Sequence, residues 1–113
     1  MVVAGNSKES RNYPRIDFRS KIHYQIRGKP DFDSALCGNI SCGGLRFNND
    51  KFIPISTPIM LEINVLNRVL RPIGRVVWSQ SLAHSNSSQM GIEFVEFDAL
   101  EKNYLKDFIN MQL

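Results

Sequence analysis

Apolar and polar residues alternate along most of this chain, with the two-residue period that is typical of half-buried β-strands. Between residues 21 and 26, for example, Ile22, Tyr24 and Ile26 alternate with lysine, histidine and glutamine. Similar segments, bounded by Gly, Pro, Asn and Asp, predict five further strands. These strands are predicted at 35–41, 45–47, 59–65, 69–81 and 90–94. Residues 21–94 are therefore predicted to consist of strands and the turns and loops that connect them.

The period changes to that of a helix after the last predicted strand. Apolar residues then recur at spacings of three and four, which predicts one apolar stripe that faces the core: Leu100, Tyr104, Leu105, Phe108 and Met111. Asp98 is a suitable N-cap for this helix, with Glu101 three positions later. Six short strands and one helix predict an all-β fold, a small six-stranded antiparallel barrel or sandwich that the C-terminal helix closes.

The predicted strand at 69–81 contains two residues that disturb a regular ladder of hydrogen bonds. Pro72 cannot donate a backbone hydrogen bond and Gly74 has no side chain, so we expect this strand to lie at an edge or to contain a bulge. Trp78 is predicted to pack in the core. Arg71 and Arg75 share one face of the strand, where they either extend a basic surface or are ordinary solvated residues.

Length and composition are those of one ordinary domain. With 113 residues and 42% hydrophobic content, the chain can bury a core without disulfides. Its two cysteines, Cys37 and Cys42, are too few for a Cys-only zinc site, and its two histidines are not spaced as zinc ligands. We therefore expect no metal site, two buried free thiols and, from those thiols, a cytoplasmic location. The sequence shows no secretory signal and no long apolar stretch, so we expect no membrane insertion.

The net charge of +3 is concentrated towards the N-terminus. Seven basic residues precede residue 31, and Glu9 and Asp17 are the only acidic residues among them: Lys8, Arg11, Arg15, Arg19, Lys21, Arg27 and Lys29. Residues 1–10 carry small and polar side chains without periodicity and are predicted to form a flexible tail. Such a basic segment either attracts an anionic partner, such as a nucleic acid, a nucleotide or an acidic lipid surface, or only solubilises the chain.

Two short motifs suggest a function for the predicted barrel. Arg11 and Arg15 form an RxxxR motif, and residues 39–44 form an [D/N]xSxxG motif at the end of the second predicted strand. This pair, in this order and one strand apart, resembles the signature of the PilZ family. Two further segments are similar to strands of that family, the central strand at 74–78 and the last strand before the helix at 90–94.

The resemblance implies a single PilZ-like domain over residues 11–113, with cyclic di-GMP as its ligand and no other cofactor. Arg11 and Arg15 would then be the two arginine ligands. Cyclic di-GMP carries two guanines and two phosphodiesters. An arginine can form two hydrogen bonds to O6 and N7 of guanine, stack on a purine or pair with a phosphate.

By the same resemblance, the second motif supplies hydrogen-bonding groups and bare backbone. Asn39 would accept a hydrogen bond from the donor-rich Watson–Crick edge of guanine, and Ser41 would offer a hydroxyl to guanine or phosphate. Gly43 and Gly44 complete the predicted site, and the missing side chain of Gly44 would let the backbone approach the ligand. In a different interpretation, these residues only form a tight turn with side-chain-to-backbone hydrogen bonds.

The function that the resemblance implies is that of a receptor or adaptor domain, with no catalytic activity, that signals to a protein partner. Its arginine segment would become ordered when cyclic di-GMP binds. Two alternatives stay open: a PilZ-like interaction module that binds no nucleotide, and a small barrel that binds single-stranded nucleic acid. The second is disfavoured because most aromatic residues lie on predicted apolar faces. An enzyme has the least support, because Cys37, Cys42, Ser41, His23 and His84 suggest no nucleophile–base arrangement.

Overall fold

The structure is a computed structural model that describes residues 13–83 and 86–113. Over these ranges the chain forms seven strands followed by one helix. The strands are β1 (Ile16–Ile26), β2 (Asp33–Ser41), β3 (Gly44–Asn49), β4 (Pro58–Val65), β5 (Arg68–Leu70), β6 (Ile73–Ser81) and β7 (Ser88–Glu96), and the helix is α1 (Ala99–Gln112). The tail predicted for residues 1–10 lies outside the described residues. No helix in the described ranges has the length and apolar character of a bilayer-spanning segment.

The strands form one antiparallel sheet that closes on itself. Its order is β1-β2-β3-β7-β6-β4-β5, and β1 also pairs with β4. Six strands therefore close a barrel, and the short β5 extends the sheet beside β4. Closure removes most of the exposed strand edges that so small a sheet would otherwise present. The prediction of an all-β, six-stranded antiparallel barrel followed by a helix is confirmed.

The segment predicted as a single strand at 69–81 is two strands, so that prediction is wrong. Pro72 separates β5 from β6 because it has no N–H to donate, although its carbonyl accepts a hydrogen bond from β4 at 3.0 Å. The register of β6 against β7 then shifts between Ile73 and Gly74, which confirms the predicted bulge. A Cβ on Gly74 would lie 2.6 Å from Ile92 Cγ2, so the close approach of β7 requires glycine there.

The core lies inside the barrel, where the inward side chains of all six strands meet. The rings of Tyr24 and Phe47 stack with their centroids 5.5 Å apart, and the Tyr24 hydroxyl accepts a hydrogen bond from Asn49 Nδ2 at 2.6 Å. Burial of this apolar surface is the main driving force for folding. Cys37 and Cys42 are buried and unpaired, as predicted.

The helix α1 has the predicted N-cap, and the middle of its predicted apolar stripe packs against the core, whereas the two ends of the stripe do not. The carboxylate of Asp98 accepts hydrogen bonds from two N–H groups of the first turn, at 3.1 and 3.2 Å. Leu105 and Ile109 are the buried residues of the helix, whereas Leu100 and Met111 are 74% and 67% exposed. At 3.6 residues per turn, these two lie about 140° and 120° around the axis from Leu105. The predicted stripe is therefore wrong at both of its ends.

Candidate ligand-binding cleft

An open cleft of about 710 Å³ lies on the outer surface of the barrel, across β2, β3, β7 and β6. Its lining includes residues of both sequence motifs: Arg15, Asn39, Ser41, Gly43 and Gly44. The two motifs meet because β1 and β2 are antiparallel neighbours. The structure thus brings together every predicted site residue except Arg11, which lies outside the described residues.

Arg15 joins the two motifs directly. It immediately precedes β1, in which Asp17 pairs with Asn39 of β2. Arg15 Nη1 donates a hydrogen bond to Asn39 Oδ1 at 2.6 Å. Burial lowers the pKa of Arg15, and the charge of Arg46, the cross-strand neighbour of Asn39, lowers it further. These three residues, Arg15, Asn39 and Arg46, form the near wall of the cleft, where two adjacent positive charges favour an anion.

The second motif forms a tight turn between β2 and β3. Ser41 is 1% exposed, and its Oγ accepts a hydrogen bond from Gly43 N–H at 3.1 Å and donates one to the Gly44 carbonyl at 3.4 Å. A Cβ on Gly44 would collide with the carbonyl oxygen of Ile92 in β7. Strand packing therefore requires Gly44 whether or not a ligand is present, and the contacts of Ser41 are those of the turn interpretation.

Tyr13 lies inside the RxxxR motif and contacts two other elements. Its ring packs on Gly43, where an added Cβ would lie 2.9 Å from Tyr13 Cδ2. Lys102 Nζ of α1 lies 5.2 Å from the centroid of the same ring, in a cation–π contact. Tyr13 could not be assigned a role from the sequence, because a single aromatic residue carries no periodic signal. The structure shows that it connects the arginine segment to the turn and to the helix.

The far wall of the cleft consists of Ile55, Arg75, Val77, Trp78 and Glu93. Arg75 and Glu93 form an ion pair, with Nη2 and Oε1 3.1 Å apart. The other three side chains are exposed and apolar. The cleft therefore presents cations and an amide on its near wall and a partly apolar surface with a compensated charge on its far wall.

Comparison with known families identifies the chain. The family model of the PilZ domain matches residues 9–111. The chain belongs to the PilZ domain family. PilZ domains are regulatory receptor domains and are typically receptors for cyclic di-GMP. A search of curated proteins found no significant match.

Solved structures share the fold of this PilZ domain. MotI/DgrA, the inhibitor of motility of Bacillus subtilis, matches with a TM-score of 0.78 and 19% identity over 90% of this chain, which covers 50% of the length of MotI. The PilZ domain of YcgR from Escherichia coli, solved with cyclic di-GMP, matches with a TM-score of 0.66 and 12% identity over 89% of each chain. The PilZ domain of CeSA from a cellulose-synthesising bacterium matches with a TM-score of 0.64 and 9% identity, over 88% of this chain and 97% of that one.

Arg46 belongs to the cleft of this PilZ domain but to neither motif. It alternates with the buried Leu45 and Phe47, so its outward direction follows from the pattern of β3. Its neighbours do not follow from the pattern, because they depend on a bulge in β2. The register shifts so that Gly38 and Asn39 together lie opposite Arg46.

Trp78 lines the cleft, so the prediction that it packs in the core is wrong. Its side chain is 39% exposed. The register of β6 shifts between Val76 and Trp78, which makes Val77 an extra residue and turns Trp78 from the core face to the outer face. The indole lies over Gly91 of β7, where a Cβ would collide with Trp78 Nε1.

The two arginines that flank the start of β6 have different surroundings. Arg75 lines the cleft, whereas Arg71 pairs with Glu62 at 3.3 Å and is not among the residues that line it. Arg75 thus extends the cleft surface, and Arg71 is a solvated strand-end residue.

In the part of the chain that the structure describes, no group of three or more His, Cys, Asp or Glu side chains is placed to hold a metal ion.

Proposed function

We propose that this PilZ domain is a receptor for cyclic di-GMP that signals to a protein partner and catalyses no reaction. The hydrogen bond of 2.6 Å between Arg15 and Asn39 carries the proposal, because it unites the two motifs in a cleft of the size that small ligands occupy. Family membership and the YcgR domain solved with cyclic di-GMP support the choice of ligand. The buried free thiols of Cys37 and Cys42 support a cytoplasmic location.

Arg11 and Arg15 are the arginine ligands in this proposal. Arg15 uses one N–H group on Asn39, and its remaining donors bind guanine O6 and N7 or a phosphate. Arg11 is assigned by its place in the RxxxR motif. Asn39 Oδ1 has two lone pairs, of which Arg15 engages one, so the other can accept an N–H group of the guanine Watson–Crick edge.

The turn between β2 and β3 in this site is formed by Ser41, Gly43 and Gly44, and the two glycines contribute only backbone atoms. The hydroxyl of Ser41 holds the turn through its hydrogen bonds with Gly43 and Gly44. Neither glycine adds a side chain to the cleft: the ring of Tyr13 packs on Gly43, and the backbone of β7 lies against Gly44. On the far wall, Trp78 offers an exposed indole on which the second base stacks.

The signal is a change in the N-terminal segment. Arg11 and Arg15 flank Tyr13, whose ring already contacts the second motif and α1. Binding of the ligand by both arginines orders this segment over the cleft and creates a surface for the partner. Residues 16–20 already lie in β1. The ordering is therefore expected in residues 8–15.

Calorimetric titration with cyclic di-GMP tests the proposal. We expect saturable heat with the wild-type protein and a loss of at least about tenfold in affinity for Arg15→Ala, because a charged hydrogen-bonding group contributes about 1.5–3 kcal/mol. Arg71→Ala is the matched control, since it removes an arginine outside the cleft. GTP should not compete. Absence of heat from protein shown to be folded would contradict the proposal and favour an interaction module that binds no nucleotide.

Hydrogen exchange tests the ordering of the N-terminal segment. Saturation with cyclic di-GMP should slow exchange in residues 8–15 and leave β4 unchanged, because β4 lies away from the cleft. Unchanged exchange in residues 8–15, measured on protein that binds the ligand, would contradict the signalling mechanism and leave the receptor function intact.

A further inference from the structure

Arg46 lines the cleft without a partner among the described residues. Its Nε is buried and has no hydrogen-bond partner, and none of the ion pairs in residues 13–83 and 86–113 includes it. Arg71 and Arg75, by contrast, each pair with a glutamate. Buried donors in native proteins are nearly always satisfied, so a buried N–H of a charged group, left without an acceptor, calls for an explanation. A bound anion would supply the missing acceptor and offset the repulsion between Arg46 and Arg15.

Gly38 makes the space in which the guanidinium of Arg46 lies. An added Cβ at Gly38 would lie 2.9 Å from Arg46 Nη2 and 3.3 Å from Arg46 Nε. The backbone of Gly38 is not left-handed, so a side chain at position 38 would act by displacing the guanidinium of Arg46. The bulge at Gly38 thus places the guanidinium of Arg46 over β2, beside Asn39.

The position of Arg46 within the cleft indicates what it binds. Cross-strand pairs set the order Asn39, Arg46, Gly91 and Trp78 across β2, β3, β7 and β6. With about 4.8 Å between neighbouring strands, Arg46 lies between an amide suited to a guanine edge and an indole suited to a base face. In a cyclic dinucleotide, the phosphodiesters lie between the two nucleosides.

We infer that Arg46 binds a phosphodiester of cyclic di-GMP and that Gly38 positions its guanidinium for that contact. This inference rests on the proposed function. It adds to the two motif arginines a third arginine, fixed in the barrel wall rather than in the N-terminal segment. The barrel itself therefore holds part of the ligand before the segment becomes ordered.

Calorimetry of four proteins with cyclic di-GMP tests the role of Arg46: wild type, Arg46→Ala, Arg46→Lys and the control Arg71→Ala. We expect Arg46→Ala to bind about 10- to 100-fold more weakly, the range of a charged hydrogen bond to phosphate. Arg46→Lys should recover most of this loss, because a lysine serves a phosphate as a point charge but cannot form the two hydrogen bonds to guanine. Arg71→Ala should match the wild type.

Three results would overturn the inference. Affinity of Arg46→Ala within about twofold of wild type would exclude the contact while leaving the receptor function in place. Equal losses in Arg46→Lys and Arg46→Ala would assign Arg46 to guanine rather than to phosphate. No saturable binding by folded wild-type protein would overturn the proposed function and this inference together.

A double-mutant cycle tests the positioning by Gly38. Gly38→Ala should weaken binding several-fold in the wild type and have no further effect in the Arg46→Ala background, because only the position of Arg46 changes. The same loss in both backgrounds would overturn the positioning role. Thermal unfolding of each protein verifies that it is folded, and the Arg46 variants decide the phosphate contact independently of Gly38.

Discussion

The two walls of the cleft differ in how their positive charges are compensated. On the far wall, Arg75 pairs with Glu93, so its charge is compensated within the fold. On the near wall, Arg15 and Arg46 have no carboxylate partner among the described residues, and burial together with the charge of Arg46 lowers the pKa of Arg15. We therefore expect an anion to bind at the arginines that the fold leaves without a carboxylate, and the number of arginines in the cleft is a poorer guide.

The largest effect is expected at Gly44, which lines the cleft where β3 packs against β7. Gly44→Val places a side chain against the carbonyl of Ile92, and the backbone of β7 cannot move aside as a side chain can. We expect a loss of about 3 kcal/mol in the free energy of unfolding, measured by urea denaturation. Gly43→Ala is the control, because its Cβ meets the ring of Tyr13, which can shift, and should cost less than about 1 kcal/mol. Equal stabilities of wild type and Gly44→Val would contradict the described contact of β3 and β7.

The next effect concerns the apolar part of the far wall. Trp78→Ala should weaken binding of cyclic di-GMP about tenfold, because stacking of a base on an aromatic side chain contributes about 1–3 kcal/mol. Trp78 is the only tryptophan, so its fluorescence in the wild type reports occupancy of the cleft directly. Trp78→Phe, which keeps an aromatic face, is the control and should retain most of the affinity. Unchanged affinity in Trp78→Ala would limit ligand recognition to the near wall.

A smaller effect on affinity is expected from a substitution that makes the two walls more alike. Glu93→Gln removes the carboxylate that compensates Arg75, so the far wall gains a free cation. We expect cyclic di-GMP to bind about threefold more tightly, with a gain that shrinks at high salt because the added attraction is electrostatic. Glu62→Gln, which breaks the matching pair with Arg71 outside the cleft, should leave the affinity unchanged. Weaker binding by Glu93→Gln would instead assign the carboxylate a direct contact with guanine.

The smallest effect at neutral pH concerns the thiol of Cys37, which lies inside the barrel. Burial raises its pKa to about 12, although the charges of Arg15 and Arg46 act in the opposite direction. Because the pKa of the folded state exceeds the ordinary value of 9.0, the thiol contributes stability that is fully present below pH 9 and is lost as the pH rises towards 12. Burial also raises the pKa values of Cys42 and Tyr24, which adds to the alkaline loss.

Denaturation as a function of pH checks this expectation with Cys37→Ala. The variant should lose less stability than the wild type between pH 9 and pH 12, and the two curves should run parallel from pH 6 to pH 8. Equal losses in the alkaline range would mean that the Cys37 thiol is not shielded by the barrel as described.

Alternation predicted β4 correctly, and the ladders that join β4 to its neighbours are regular. It failed where the ladder is interrupted. The first strand begins at Ile16 rather than at residue 21, and a register shift between Asp17 and Ser20 breaks the two-residue period in that half of β1. Pro72 divides the predicted strand at 69–81 in the same way, since it removes one donor from the ladder.

The same interruptions limited the prediction of the site. Arg15 and Asn39 could be predicted as cleft residues because each belongs to a motif that is recognised by the spacing of its residues along the chain. Trp78 was missed because a bulge in β6 turns its side chain to the outer face. Arg46 was missed because a bulge in the neighbouring β2 determines which residues surround it. Gly38, a glycine inside a strand, was a usable sign of the first bulge. Val77 carries no such sign of the second.

Two large side chains on opposite walls of the cleft, Arg46 and Trp78, have the same arrangement, since each lies over a glycine of the adjacent strand. Arg46 lies over Gly38, and Trp78 lies over Gly91. A larger residue at either glycine would displace the side chain above it, so each pair is expected to vary as a unit during evolution. Among PilZ sequences aligned to this one, tryptophan at position 78 should be accompanied by glycine at position 91. In the proposed receptor, the ligand preference would therefore be inherited through two glycines as much as through the side chains that lie above them.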